Sequence, residues 1–372
     1  MTAVSRSWWR PSLSWLLVFV PVAFALRYVP GWRHDTALFI CSALAIIPLA
    51  GWMGNATEQL THRLGEGVGG LLNASFGNAA ELIIALMALR AGLIDVVKAS
   101  ITGSIVGNLL LVLGAAIFTG GLRFQHQRFN KTAARASCTA LILAAAALVI
   151  PSVFHYTAAG SPGGWQPEAE QKLSLAIAVV LLVTYVAILV FTLVTHKKLF
   201  GGGSDDGQPT PADLEQPWPV KKAVALLLVA TVAVAWVSEF LVGAVEAAQH
   251  SLGVTETFVG VIIVAVVGNA AEHSTAITMA LKNKMDLSLG IAIGSSLQIA
   301  LFVTPVLVFA SYLFPQRLNL EFTLPEIVAV VMAAFVADQI SGDGESNWLE
   351  GVQLLALYLI IGILFYFLPA TH

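Results

Sequence analysis

Two near-identical pentapeptides, Gly77-Asn78-Ala79-Ala80-Glu81 and Gly268-Asn269-Ala270-Ala271-Glu272, each place a carboxylate inside an otherwise apolar run. A central charge in lipid costs about 2.5–3.5 kcal/mol on the insertion scale, so two retained glutamates point to ion chemistry. No Lys or Arg stands deep in the same runs, and a cation or a proton must therefore balance them. Hard oxygen ligands suit Ca2+, Mg2+ or Mn2+, whereas the lack of Cys and paired-His spacing argues against a thiolate or zinc-type centre. Two carboxylates cancel the charge of one divalent ion. Brought together without it they repel, so at least one then holds a proton. Competition between protons and one divalent ion for one site is the physical basis of exchange.

The motifs stand 191 residues apart in a chain of 372. The same offset carries Gly103-Ser104 onto Gly294-Ser295, so the register holds across at least 28 residues, which a chance recurrence of a short Gly/Ala-rich string does not explain. Paired intramembrane repeats interrupted by Gly point to a transporter's site. On a helix, Gly77, Asn78 and Glu81 share a face, as do Gly268, Asn269 and Glu272. Helix packing alone accounts for the glycines and alanines but not for the glutamates. Ser104, Asn108, Ser295, Ser296 and Gln298 offer polar groups that either line the site or join helices. His273 reads as a proton relay or a packing histidine. Glu58 and Glu239 read as gate or proton-path carboxylates, or as interfacial residues near helix ends, where Glu246 also falls.

The elements that must position these groups are membrane helices. With 57% hydrophobic and 11% charged residues, this is no soluble domain. Spans of ~20 apolar residues are expected at Leu13 to Val29, Thr36 to Leu60, Val68 to Leu89, Leu93 to Phe118, Thr132 to Phe154, Leu173 to Thr195, Ala223 to Gln249, Thr257 to Leu281, Leu287 to Phe314, Leu324 to Ile340 and Trp348 to Leu368. The first follows Arg6 and Arg10 and lacks an obvious small-residue cleavage site, so it reads as an anchor rather than a signal peptide. Cys41 and Cys138 both fall in apolar spans, which disfavours a disulfide framework.

With the N-terminus inside, Arg6, Arg10, Arg63, Arg123, Arg128, Lys131, Arg135, Lys197, Lys198, Lys221, Lys222, Lys282 and Lys284 are cytoplasmic, 13 of the 19 basic residues; the C-terminus is then outside. The longest polar stretch, residues 201–219, carries Asp205, Asp206, Asp213 and Glu215. It reads as a flexible cytoplasmic linker; the spaced ligands of a recognised calcium loop are missing. It separates two groups of five spans, and an odd number turns the second group upside down. The expected organisation is an extra N-terminal helix (1–35), a first repeat (36–200), the linker (201–219) and a second repeat (220–372): an all-α polytopic membrane protein of about eleven helices.

With these residues in place the chain resembles the calcium/proton exchangers, the cation/proton branch of the cation/calcium antiporter superfamily. The likeness is carried by Ala56-Thr57-Glu58, by Gly69 through Glu81, by Gly103-Ser104-Ile105, by Ser238-Glu239, by Val267 through His273, and by Gly294-Ser295-Ser296-Leu297-Gln298. It covers roughly Thr36 to Leu368. The resemblance implies ten core helices in inverted repeats with an additional first helix, and alternating access around a midplane calcium site. Glu81 and Glu272 would then bind Ca2+ and exchange protons, with backbone oxygens at Gly77 and Gly268 assisting. Ser104, Ser295 and Gln298 would support the site, and Asn78 and Asn269 would shape broken turns. Many plant and fungal members carry proline shortly before the second motif, where Val264-Ala265-Val266-Val267 stands here.

The leading expectation is antiport of Ca2+ against H+, with Ca2+ as cargo and no cofactor. A sodium/calcium exchanger shares the repeat plan, and a cation channel also fits acidic residues along a pathway. No His-Glu-x-x-His or nucleophile-base constellation suggests an intramembrane enzyme. Short tails favour a prokaryotic plasma membrane; oligomeric state is not legible.

Overall fold

The computed structural model describes residues 13–159, 166–200 and 218–369. Most of the acidic linker, together with Arg6 and Arg10, lies outside the described residues. The first half comprises α1 (Leu13–Tyr28), α2 (Asp35–Phe76), α3 (Ala79–Arg90), α4 (Ile94–Arg123), α5 (Lys131–Ala159) and α6 (Pro167–Thr195). The second comprises α7 (Val220–Gly243), α8 (Val245–Leu252), α9 (Glu256–Gly268), α10 (Ala270–Leu281), α11 (Met285–Ser311), α12 (Leu324–Ile340) and α13 (Trp348–Phe367). Among the described residues seven helices are long and apolar enough to cross a membrane, and an eighth counts if the bent pair α8–α9 is one span.

Two expected spans are interrupted. The stretch from Val68 to Leu89 breaks at Gly77-Asn78, and that from Thr257 to Leu281 breaks at Asn269, so each motif sits at a helix junction rather than on one continuous face. Apolarity reports span length but not backbone continuity, and both interruptions are too short to alter it. The span expected from Ala223 to Gln249 also ends early, at Gly243. Beyond it α8 closes on Gly253, whose φ of +65° suits glycine, and α9 departs at 108° to α8.

The connection expected between Leu60 and Val68 keeps a helical backbone yet still reverses the chain. Thr61 Oγ1 donates to Gly69 O at 3.1 Å. Eight residues of straight helix would separate them by about 12 Å.

The offset of 191 holds in the backbone: α3 and α10 begin at Ala79 and Ala270 and end at Arg90 and Leu281, and α4 and α11 begin at Ile94 and Met285. Buried apolar residues form two clusters. One is built mainly on α1, α2, α7 and α8, the other on α4 to α6 and α10 to α13, and α3, α4 and α9 contribute to both. Where α4 crosses α9, a Cβ added at Gly260 would stand 2.5 Å from Ala99 Cβ and 2.9 Å from Val96 O, so only glycine admits this approach.

Loops expected on one membrane face meet one another. Gln127-Arg128 pairs antiparallel with Glu345-Ser346, and Gln127 Nε2 donates to Ala280 O at 2.8 Å and Asn283 Oδ1 at 3.1 Å. At the opposite end, the segment leading into α12 is tied down by Leu320 N–H on Ser174 Oγ (2.9 Å) and Phe322 N–H on Ser152 Oγ (2.7 Å). Capping boxes Thr323/Glu326 and Asn347/Glu350 then start α12 and α13.

Candidate functional site

Glu81 and Glu272 occupy the first turns of α3 and α10. Asn78 (φ −103°, ψ 30°) and Asn269 (φ −90°, ψ 4°) precede those turns in near-bridge conformations, as chain breaks require. The positive end of each half-helix favours a carboxylate there. Glu81 reaches across the halves: a Cβ added at Gly268 would stand 3.2 Å from its Cγ and 3.8 Å from its Oε1. Among the described residues Glu272 Oε2 is buried without a hydrogen-bond partner.

The surrounding polar groups form one network across both halves. Asn78 Nδ2 donates to Gln298 Oε1 at 2.5 Å, and Ser295 Oγ donates to Asn78 Oδ1 at 2.8 Å. Asn269 Nδ2 donates to Ser104 Oγ at 3.0 Å and to Ala265 O at 2.8 Å. Asn108 joins the two sides by donating to Asn269 Oδ1 (3.1 Å) and Ser295 Oγ (2.9 Å), and its own Oδ1 is buried without a partner among the described residues. A Cβ at Gly77 would stand 3.1 Å from Gln298 Oε1, so both motif glycines leave room for a polar group of the opposite half.

Asn108 is the member whose importance the sequence understated. Its repeat mate is Ile299, and that of Gln298 is Gly107, so neither is marked by the internal duplication. Asn108 lies within, and Gln298 immediately before, the π-helical turns of α4 and α11, Gly107–Val112 and Ile299–Val303, the kind of irregularity that accompanies functional sites.

The other sequence candidates stand outside this network. Ser296 is buried and donates within its helix to Ala292 O at 3.0 Å. His273 Nε2 is buried with no partner among the described residues. Glu58 and Glu239 present exposed side chains on α2 and α7. Lys98, on α4 and outside the two motif runs, has a side chain only 10% exposed and is committed to Glu321 at 3.2 Å.

Among the described residues no three His, Cys, Asp or Glu side chains gather as a metal cage. The site instead offers two carboxylates with amide, hydroxyl and backbone oxygens. That donor set suits a hard cation held loosely enough to leave. A cavity of about 280 Å³ bordered by α5, α6 and α11 reaches Gln298 from one side.

The sodium/calcium exchanger protein family matches residues 34–194 and 222–367. The chain belongs to that family. Within the sodium/calcium exchanger family, the expected relationship to its calcium/proton exchangers is borne out by the relatives matched. The Ca(2+)/H(+) antiporter of Synechocystis sp. (strain ATCC 27184 / PCC 6803 / Kazusa) is 47% identical over 365 residues, covering 95% of this chain and 96% of that protein. The Ca(2+)/H(+) antiporter ChaA of Bacillus subtilis (strain 168) is 48% identical over 354 residues, 94% and 98% of the two chains. Among solved structures, native YfkE superposes with a TM-score of 0.81 at 43% identity, over 96% of this chain and all of that one.

Proposed function

We propose that this chain is a secondary active antiporter that exchanges Ca2+ for H+ across a membrane by alternating access. The observation that supports the reading is the approach of Glu81 to Gly268, four residues before Glu272 in the opposite repeat motif, beside a polar network that spans both halves. The names of the relatives supply the cargo. In this reading the two carboxylates, aided by backbone oxygens at Gly77 and Gly268, hold Ca2+ on one visit and protons on the next. Asn78, Asn269, Ser104, Ser295 and Gln298, with Asn108 between them, hold the frame.

The logic is charge balance. Two ionised carboxylates match one divalent ion; without it their mutual repulsion and their apolar setting demand protons. A half-loaded site carries net charge in a low-dielectric surrounding, which disfavours moving between faces empty and so couples the two fluxes. Ca2+ is the cargo, and the cycle needs no cofactor. His273, Glu58 and Glu239 are proposed carriers or gates on the proton path.

The architecture proposed with this function is about eleven spans, with one extra N-terminal helix and two inverted five-helix repeats joined by the segment 201–219. The shared offset of the helix starts supports it. The excess of Lys and Arg supports a cytoplasmic N-terminus and an external C-terminus, and the bacterial relatives support a prokaryotic plasma membrane.

The test is reconstitution in liposomes, following calcium uptake under an imposed pH gradient with and without sodium while recording the lumenal pH. Uptake that needs the proton gradient, ignores sodium and moves protons the other way is expected. Sodium-dependent uptake without proton movement would assign the same site to sodium/calcium exchange, and flux without counter-ion dependence would make it a channel.

A further inference from the structure

We propose that Asp286 is the first carboxylate that Ca2+ meets on its way to the site, at the mouth of the cavity that runs along α11; this rests on the exchange reading above. Asp286, Gly290, Gly294 and Gln298 all line that cavity. Spaced four residues apart, they form a stripe of about 18 Å from the helix start to the site. Gly290 and Gly294 face open space, with nothing within 4 Å of an added Cβ. Asp286 is exposed at the outer end of the stripe, and its Oδ1 accepts the N–H of Asn130 at 2.5 Å, which fixes the carboxylate on the rim between α5 and α11. At the inner end Gln298 accepts from Asn78, so an ion that reaches it has reached the network.

The molecule contains its own comparison. The offset of 191 maps Asp286, Gly290 and Gly294 onto Asp95, Ala99 and Gly103 of α4. There α9 covers the stripe, with Gly260 on Ala99 and Val261 on Gly103. Thr102, the mate of Ile293, borders a residual space of only about 10 Å³. One surface thus occurs twice, closed by a helix on one side and open on the other, and the open copy has a carboxylate at its mouth. The cavity walls are largely apolar, through Ala133, Ala134, Ile188 and Leu189. Such walls offer no competing counter-charge and focus the field of Asp286 along the path.

The direct test needs no transport. In a chain carrying Cys41→Ala and Cys138→Ala, a thiol introduced by Gly290→Cys is treated in liposomes with membrane-impermeant cationic and anionic methanethiosulfonates from each face. Labelling from one face only is expected. The cationic reagent should be favoured by about threefold or more, the effect of one charge a helical turn away in water. Asp286→Asn should abolish that preference and Asp286→Glu retain it. Ser137→Cys, on the facing wall, serves as a second reporter. In parallel, Asp286→Asn should raise the half-saturating Ca2+ concentration on the labelled face about fourfold, as for a divalent ion roughly 10 Å from a single charge. The maximal rate should not change, Asp286→Glu should restore affinity, and Asp95→Asn should leave that face unaltered. Unreactive thiols at both positions, or a reagent preference indifferent to Asp286→Asn, would overturn the proposal. Normal labelling in a protein without proton-coupled Ca2+ flux would instead reject the exchange reading while keeping the aqueous path.

Discussion

Glu81 lies against Gly268, the glycine of the opposite motif, with its Cγ 3.2 Å from where a Cβ would stand. Each motif therefore shapes the space into which the other half's polar group projects. Gly268→Ala should push Glu81 aside by a few tenths of an ångström, lowering Ca2+ affinity severalfold in a folded protein. Gly77→Ala should be worse, because its Cβ would also stand 2.7 Å from Asn73 O, which cannot swing away. Calcium titration of the two purified variants, alongside thermal melts, checks the order.

Glu81→Gln and Glu272→Gln keep side-chain size and remove a titratable charge. Breaking a buried charge partnership costs about 3–5 kcal/mol, so Ca2+ exchange should fall by two decades or more while the protein still purifies as a folded species. Near wild-type exchange in either variant would refute the assigned mechanism.

Asn108 holds the two sides of the network together with one amide nitrogen. Asn108→Leu should strand Asn269 Oδ1 and remove the link to Ser295, each costing about 1–3 kcal/mol if left unsatisfied. A lowered melting temperature together with weakened Ca2+ affinity is expected. Loss of neither would mean the hub is replaceable by packing.

Much of this arrangement was legible in the chain. Glu81 and Glu272 announce themselves because a carboxylate among apolar residues demands a reason, and the 191-residue register leads from them to Ser104 and Ser295. The structure brings Asn78, Asn269, Ser104, Ser295 and Gln298 into one network. The helix breaks at Asn78 and Asn269 are implied by the family resemblance and not by hydropathy, which one or two non-helical residues leave unchanged. Asn108 is legible as a polar group but not as a hub: a polar residue on a small-residue face looks the same whether it joins two helices or, as here, bonds both Asn269 and Ser295. The helical backbone that carries Gly69 back onto Thr61 is not legible in polarity, which marks only a connection between two apolar runs.

Shared use of the glutamates by Ca2+ and protons fixes the sign of the pH response. Where binding of Ca2+ must displace one proton, its apparent dissociation constant rises about tenfold for each pH unit of acidification, and more if two are displaced. Acidifying the Ca2+-binding face should thus weaken uptake, and acidifying the opposite face should drive it. Initial rates measured with each face buffered separately, at constant sodium, decide this. Equal effects from both faces would contradict counter-transport.

The open stripe on α11 gives a last contrast between repeat mates. Gly103 is pressed against the backbone of Val261, so Gly103→Leu should overpack the α4–α9 crossing, costing about 1–3 kcal/mol or more and lowering the melting temperature. Gly290 faces open space, and Gly290→Leu fits the present conformation without strain. If the two faces open in turn, however, the helix bearing Gly69, the mate of Gly260, must later close on Gly290 as Gly260 now closes on Ala99. Gly290→Leu should therefore melt like the parent protein yet exchange Ca2+ far more slowly, whereas Gly243→Leu, also in open space but at the end of α7, should do neither harm. Unimpaired exchange by Gly290→Leu would mean that this surface stays open throughout the cycle, and that the movement exposing the opposite face does not retrace the symmetry written in the sequence.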